Sequence, residues 1–353
     1  MRSICVIGIA GYSGSGKTTL IRKLLPELKE EGLYVGVLKH IHHKLNIDIK
    51  GKDTDHFYRA GADFVSAHDD QQGFARYRNS DMSLVDCIRR FPSALDLILV
   101  EGHKDMNIPG IWLEVESPGG ETGGSELGKR ISVFRNDPEY HLKVLIHILQ
   151  ELERFHSLRP VKAGLLIGGK SSRMGTPKTF LKLNGKTLAA RSFGLLSVVS
   201  EKTVLLGSGH IPGSLNDAAR LADVLEVNGP LAGMLSAFRW APYSAWIISS
   251  VDMPLMNKEA WKWLLSQRKA GVWAVLPRIK GSRGVETTGA LYEPMIFEHL
   301  ESFAGRGNSR LQDIAKHPKV VSPMIPKPLA HAWRNVNTTA DWEKTVSSFM
   351  IQI

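Results

Sequence analysis

Cysteine is nearly absent: the 353 residues contain only Cys5 and Cys87. That scarcity excludes a disulfide framework and leaves no cysteine cluster for a structural zinc site. Cys5 lies inside the first apolar stretch, where a packed thiol in a reducing compartment is the expectation. Long hydrophobic runs are missing too, with none near the roughly 20 residues of a membrane span. The opening "MRSICVIGIAGYSG" has one charge before a short apolar run. That run leads into a glycine loop that signal cleavage would destroy, so a buried β-strand is expected. The expectation is a cytoplasmic protein with no membrane partner. A Lys/Arg tract and an aromatic-basic repeat are also lacking, although the net charge is +10. Dispersed basic charge argues against nucleic acid and for anionic small molecules such as polyphosphates.

What is present describes a globular chain, 43% hydrophobic and 23% charged, long enough to favour two domains. Strand and helix patterns alternate through both halves. The first runs from "SICVIGIA" through a helix at Lys17 to about Glu31, then "YVGVLK", a helix around "DTDHFYRAG" and the strand "DFVSAH". A helix near "SLVDCIRRF", the strands "DLILVEG", "IWLEVE" and "ISVF", and a closing helix "PEYHLKVLIHILQELERF" complete it. Asp137 is the expected N-cap of that closing helix and Pro138 its first residue. After "HSLRPVK", the strands "AGLLIGG", "TVLLG", "AWIISS", "WAVLP" and "TGALY" alternate with helices around 187–199, 230–239 and 258–269. Such alternation indicates parallel sheets covered by helices on both faces. The expected domains are 1–157 and 158–353.

Each half has a phosphate-binding candidate. Gly11 to Thr18, "GYSGSGKT", fits G-x-x-x-x-G-K-[ST] between a strand and a helix. Backbone N–H groups at Gly14, Ser15 and Gly16 can turn inward to phosphate oxygens. Lys17 can neutralise outer phosphates, and Thr18, followed by Thr19, can ligate Mg²⁺. Glu101 ends an apolar strand, where it either orients Mg²⁺ or a water molecule or is a solvated terminal residue. Lys39, His40, His42, His43, Lys50 and Lys52 concentrate nearby. Such histidines contact anions or lie exposed more often than they hold metal. Asp53 is either a helix N-cap or a magnesium-facing acid. In the second half, "LLIGGKSSRMGTPK" puts Leu166, Ile167, Gly168 and Gly169 at a strand end before Arg173 and Lys178. Asp223 precedes Gly229, Pro230 and Gly233 of "GPLAG", and Asp252 follows the strand "AWIISSV". Asp223 or Asp252 alone is equally a turn-forming Asp. The ordered set with the basic loop indicates a polyphosphate site with Mg²⁺ at Asp252.

The motifs "GYSGSGKTTL", "GVLKHIHH", "IDIKGKDT", "RAGA" and "DLILVEGHK" resemble the molybdopterin-guanine dinucleotide biosynthesis adaptor proteins, the MobB type, over roughly residues 3–150. The resemblance implies GTP binding with weak hydrolysis and partnership with a guanylyltransferase. "LIGG", Lys178, Asp223, "GPLAG", Asp252 and "NVNT" resemble the molybdenum cofactor guanylyltransferases, the MobA type, over roughly 162–350. Ile167 departs from the usual Ala, Pro177 from the usual Asp, and Gly207 stands where an Asn often contacts nucleotide. The fold class implied is α/β with two doubly wound domains, a P-loop NTPase fold and a Rossmann-like nucleotidyltransferase fold.

The reaction implied is Mg²⁺-dependent transfer of GMP from GTP to molybdopterin. Lys178 and Arg173 would stabilise phosphate, with Asn335 and Asn337 on the molybdopterin side. Molybdenum-cofactor insertion machinery and apo-molybdoenzymes are the more distant partners. The half offers no Ser-His-Asp or Cys-His arrangement, and an ionised phosphate monoester needs no strong general base. A cofactor carrier without transfer activity and a cytidylyl or sugar-phosphate transferase are the alternative readings.

Overall fold

The computed structural model describes residues 4–40, 48–78, 82–103, 108–115, 130–135, 137–168, 176–307 and 310–350. The first half contains β1 (Cys5–Gly11), α1 (Lys17–Glu30), β2 (Val35–Lys39), α2 (Asp53–Arg59), β3 (Phe64–His68), β4 (Gly73–Tyr77) and α3 (Leu84–Arg89). It continues with β5 (Leu97–Glu101), β6 (Gly110–Glu114), β7 (Arg130–Phe134) and α4 (Tyr140–Ser157). Five of these strands form a sheet of order β2-β5-β1-β6-β7, parallel throughout. Side chains alternate across it, as strand geometry requires. Ile7, Ile9, Leu97 and Leu99 pack towards α1 and α4, while Ile98 and Val100 pack with Leu84 of α3. Burial on both faces explains why these strands read as continuous apolar runs. The antiparallel hairpin β3–β4 stands apart from this sheet.

The second half contains β8 (Val161–Leu166), β9 (Lys182–Leu183), β10 (Lys186–Thr187), α5 (Leu188–Val199), β11 (Lys202–Leu206), β12 (Arg220–Leu221) and α6 (Pro230–Trp240). It ends with β13 (Ala245–Ser250), α7 (Lys258–Ser266), β14 (Ala274–Val275), β15 (Ala290–Tyr292), α8 (Phe297–Gly305), β16 (Val320–Val321) and α9 (Thr339–Met350). Its sheet has the order β12-β11-β8-β13-β15-β14-β16. Leu165, Leu205 and Ile247 meet the α5 and α7 side, and Leu166, Leu206 and Ile248 meet the α6 and α8 side. Both halves are therefore doubly wound. Among the described residues no helix is long and apolar enough to cross a membrane.

Several details differ from the sequence reading. β15 runs antiparallel to β13 and β14, so the second sheet is mixed. α4 starts at Tyr140 with Glu139 at its N-cap, not at Pro138. Asp137 instead closes the preceding turn, accepting from Glu139 N at 3.0 Å and binding Lys143 at 2.5 Å. Lys52 occupies the N-cap of α2, which makes Asp53 its first helical residue.

Candidate nucleotide sites

The first site forms where β1 gives way to α1. Gly14 and Gly16 adopt φ of 76° and 94°, conformations that favour glycine, and this curls the loop around the buried Ser15. Lys17 Nζ lies back over the loop, donating to Tyr12 O at 2.5 Å, Gly11 O at 3.1 Å and Ser15 Oγ at 3.3 Å. Thr18 Oγ1 donates to Glu101 Oε1 at 2.7 Å, which joins the start of α1 to the carboxyl end of β5. Glu101 is buried, so it is not a solvated strand terminus. Lys39 Nζ completes the group at 2.9 Å from Glu101 and 3.0 Å from Thr18.

Around this group lies an open cavity of about 750 Å³ whose lining includes Gly14, Gly16, Lys17, Thr18, Thr19 and Glu101. The His40 and His103 rings, 4.6 Å apart, lie at its edge. His42 and His43 lie outside the described residues, and Asp53 is not part of the lining. Sequence reasoning gave no role to Arg135, whose guanidinium comes within 3.6 Å of where a Cβ on Gly16 would stand. Its position follows from β7 lying at the sheet edge, a pairing that no local motif encodes.

The second site opens at the carboxyl ends of β8 and β13, as ligand sites in open α/β sheets do. A cavity of about 250 Å³ is lined by residues that include Leu166, Ile167, Gly168, Lys178, Ser250 and Asp252. Lys178 Nζ lies 3.4 Å from Asp252 Oδ2 and donates to Asn337 Oδ1 at 2.9 Å. The Ser250 hydroxyl donates to the other Asp252 oxygen. Val336 N donates to the Asp252 carbonyl oxygen at 2.8 Å, which ties the C-terminal segment to the end of β13. Val336 is buried between the exposed Asn335 and Asn337. Three distant stretches of chain thus meet at one ammonium group. Gly169 and Arg173 lie outside the described residues.

Asp223, Gly229, Pro230 and Gly233, expected at this site, are not among the residues that line the cavity. Asp223 backs Gly207 and Gly233, whose ideal Cβ atoms would lie 3.2 and 3.4 Å from its carboxylate oxygens. Gly207 has φ 99°, in the left-handed region that favours glycine, so glycine in place of the Asn that often stands there suits the backbone. Burial pushes the Asp223 carboxyl up, with Arg220 opposing the shift. Arg220 also pins the loop, donating to Gly207 O at 2.7 Å and Gly209 O at 2.8 Å. Pro230 is the first residue of α6, with Gly229 at the N-cap, so the helix start has no capping side chain. One carboxylate went unnoticed in the sequence. Burial, reinforced by the charge of Asp252, pushes Glu286 up to about 7.

Both halves match known families. Residues 6–122 match the family of molybdopterin guanine dinucleotide synthesis protein B, and residues 163–320 match the MobA-like NTP transferase domain. The molybdopterin-guanine dinucleotide biosynthesis adapter protein of Haemophilus influenzae is 42% identical over 112 residues, 31% of this chain and 63% of that protein. The chain thus spans under two thirds of that relative. The adapter protein of Escherichia coli is 31% identical over 154 residues, 42% of this chain and 88% of that protein. A probable molybdenum cofactor guanylyltransferase of Aquifex aeolicus is 24% identical over 183 residues, 52% of this chain and 89% of that protein. The chain belongs to the MobB family through its first half and carries a MobA-like nucleotidyltransferase domain in its second.

Proposed function

We propose that residues 158–353 transfer GMP from GTP to the terminal phosphate of molybdopterin, and that residues 1–157 form a GTP-binding adapter domain fused to that enzyme. A phosphate oxygen of molybdopterin attacks the α-phosphorus of GTP, and the bond from that phosphorus to the bridging oxygen breaks. Pyrophosphate leaves and the guanine dinucleotide remains. The observation that carries this reading is the convergence on Lys178 of Asp252 from β13 and Asn337 from the C-terminal segment. Among the described residues Lys178 is the cation best sited to accept phosphate charge, with Arg173 assigned the same role from its motif. Gly168 offers backbone without a side chain beside the cavity, and among the described residues no protein atom lies within 4 Å of an ideal Cβ there. Leu166, Ile167, Gly169 and Asp223 are assigned to the nucleotide, with Gly229, Pro230 and Gly233 forming a helix start suited to anions. Asn335 and Asn337 are assigned to the molybdopterin side.

The donors present suit a hard divalent ion. Asp252 offers carboxylate oxygen in the second site, and Thr18 with Glu101 offers hydroxyl and carboxylate oxygen in the first. Among the described residues no three His, Cys, Asp or Glu side chains gather as an all-protein metal cage. One or two oxygens beside a phosphate site are the usual pattern for Mg²⁺. Bound Mg²⁺ would supply neutralisation of phosphate charge. Free thiols at Cys5 and Cys87 agree with a reducing, cytoplasmic setting. Insertion machinery and apo-molybdoenzymes would be partners downstream of the product. The test is pyrophosphate release by the purified chain with molybdopterin and GTP, with and without chelator, and with CTP replacing GTP. Release that needs Mg²⁺ and prefers GTP is expected, and equal use of CTP would refute the guanylyl assignment.

A further inference from the structure

A buried carboxylate, Asp96, ties the two halves together. It stands just before β5 and receives three hydrogen bonds. Tyr34 N donates at 2.8 Å from just before β2, while Trp273 Nε1 donates at 2.7 Å and Lys319 Nζ at 2.5 Å from the second half. The side chains of Asp96 and Lys319 are 1% and 5% exposed. Lys319 Nζ also donates to Gly32 O at 2.5 Å, and the Tyr34 and Trp273 rings meet edge to face at 5.3 Å. Farther along, Ala270 N donates to Glu153 and Ser93 N to Glu298. Tyr34 and Ala94 pack onto the hydrophobic core of the second half.

The decisive feature is where these residues stand on their strands. Tyr34 and Asp96 precede parallel strands of the first sheet, so they mark its amino end. Trp273 precedes β14 and Lys319 precedes β16. β14 lies antiparallel to β15, which is itself antiparallel to β13, so β14 and β16 run the same way as β13 and β8. This contact is therefore also at the amino end of the second sheet. Both nucleotide cavities open at carboxyl ends. We infer that the two domains are docked back to back through the amino ends of their sheets, so that their nucleotide sites face opposite poles of the chain. Neither site can touch the other's ligand within one molecule, and any direct handover between them passes between molecules. The buried Asp96–Lys319 pair gives this docking its specificity: each charge keeps its partner only in one relative orientation.

Distance measurement on the full chain tests the arrangement. Ser13 lines the first cavity, and the exposed Ser208 adjoins Gly209 of the second. Spin labels on Ser13→Cys and Ser208→Cys in a Cys87→Ser background would be read by pulsed electron spectroscopy. Cys5 is buried and its thiol is pushed up to about 12, so it resists labelling. β1 spans 7 residues and β8 spans 6, so at ~3.3 Å per residue each site stands about 20 Å from the contact. A narrow distribution centred beyond about 30 Å is expected. A dominant shorter distance would overturn the inference. Asp96→Lys sets two ammonium groups against each other and should broaden the distribution. An unchanged narrow peak in that variant would refute the ion pair as the docking element. Neither readout depends on turnover, so failure of the proposed transfer reaction leaves this test intact.

Discussion

Lys178 in the second site and Lys17 in the first share a predicament, an ammonium at a cavity whose hydrogen bonds go to the protein itself. Lys178 turns to Asp252 and Asn337, and Lys17 turns to its own loop. Polyphosphate oxygens can take over these donors when a nucleotide binds, so the resting contacts hold each lysine near its work. Replacing Lys178 or Asp252 by Ala should therefore slow transfer by roughly 2–4 kcal/mol of barrier, or about 30- to 10³-fold, with the fold retained. Turnover assays at saturating Mg²⁺, paired with circular dichroism, check this, and near wild-type turnover would remove both residues from the site. Gly168 offers a different probe. Among the described residues a Cβ there meets nothing within 4 Å, so Gly168→Ala should leave stability unchanged while obstructing a base laid against the backbone. We expect it to weaken GTP more than CTP in competition assays, and equal losses would mean that guanine is not read at this loop.

At the scale of elements, the Glu293 cluster joins α4, the turn that follows it, the turn after α7 and the residue that follows β15. Arg159 donates to Glu293 at 2.7 Å and Arg268 at 2.8 Å, and His156 Nε2 lies 3.2 Å away. Burial works to raise this carboxyl, but His156, Arg268 and Arg159 outweigh it and hold the group down at about 2. Because the folded value lies below the unfolded one, its stabilisation is present above the unfolded value of about 4.3. It is lost as pH falls through that window towards 2, by roughly 3 kcal/mol. Glu293→Gln should flatten the loss of thermal stability between about pH 5 and pH 3 while lowering stability at neutral pH by roughly 3–5 kcal/mol. An unaltered acid slope would assign that slope to other carboxylates. None of this cluster was legible in the sequence, because its members come from both halves. Strands buried on both faces were legible, since β1, β5, β8 and β13 must be continuous apolar runs. β4 was not, because among the described residues "GFARY" pairs with β3 alone and lies largely exposed. Glu286 was hidden for another reason: it approaches Asp252 only because β15 returns antiparallel beside β13. Motif residues at strand ends were readable because a parallel sheet sends every such end to one rim, whereas Arg135 depends on edge pairing far along the chain.

For the molecule as a whole, the question is whether two nucleotide sites on one chain must work together. The helix α4 ends at Ser157 and β8 begins at Val161, so the connection is short. Contact across the halves is nevertheless extensive, and an isolated 1–157 fragment would leave Asp96 without Lys319 and Trp273. The full chain is therefore the proper object for testing coupling. Lys17→Ala removes the cation of the first loop, and GTP titration should fall from two sites to one. Any effect on transfer has to cross the domain contact rather than bridge the ligands directly. Couplings carried that way usually amount to ~1–3 kcal/mol. The polar lock around Asp96 lies at the far end of the sheet from Lys17, so the lower part of that range applies. Transfer in Lys17→Ala should remain within about tenfold of wild type, a coupling of at most about 1.4 kcal/mol. A complete loss of transfer in a variant with wild-type circular dichroism and an intact second binding event would show that the P-loop site drives the reaction. The first domain would then be an obligatory part of the catalyst rather than an adapter fused to it.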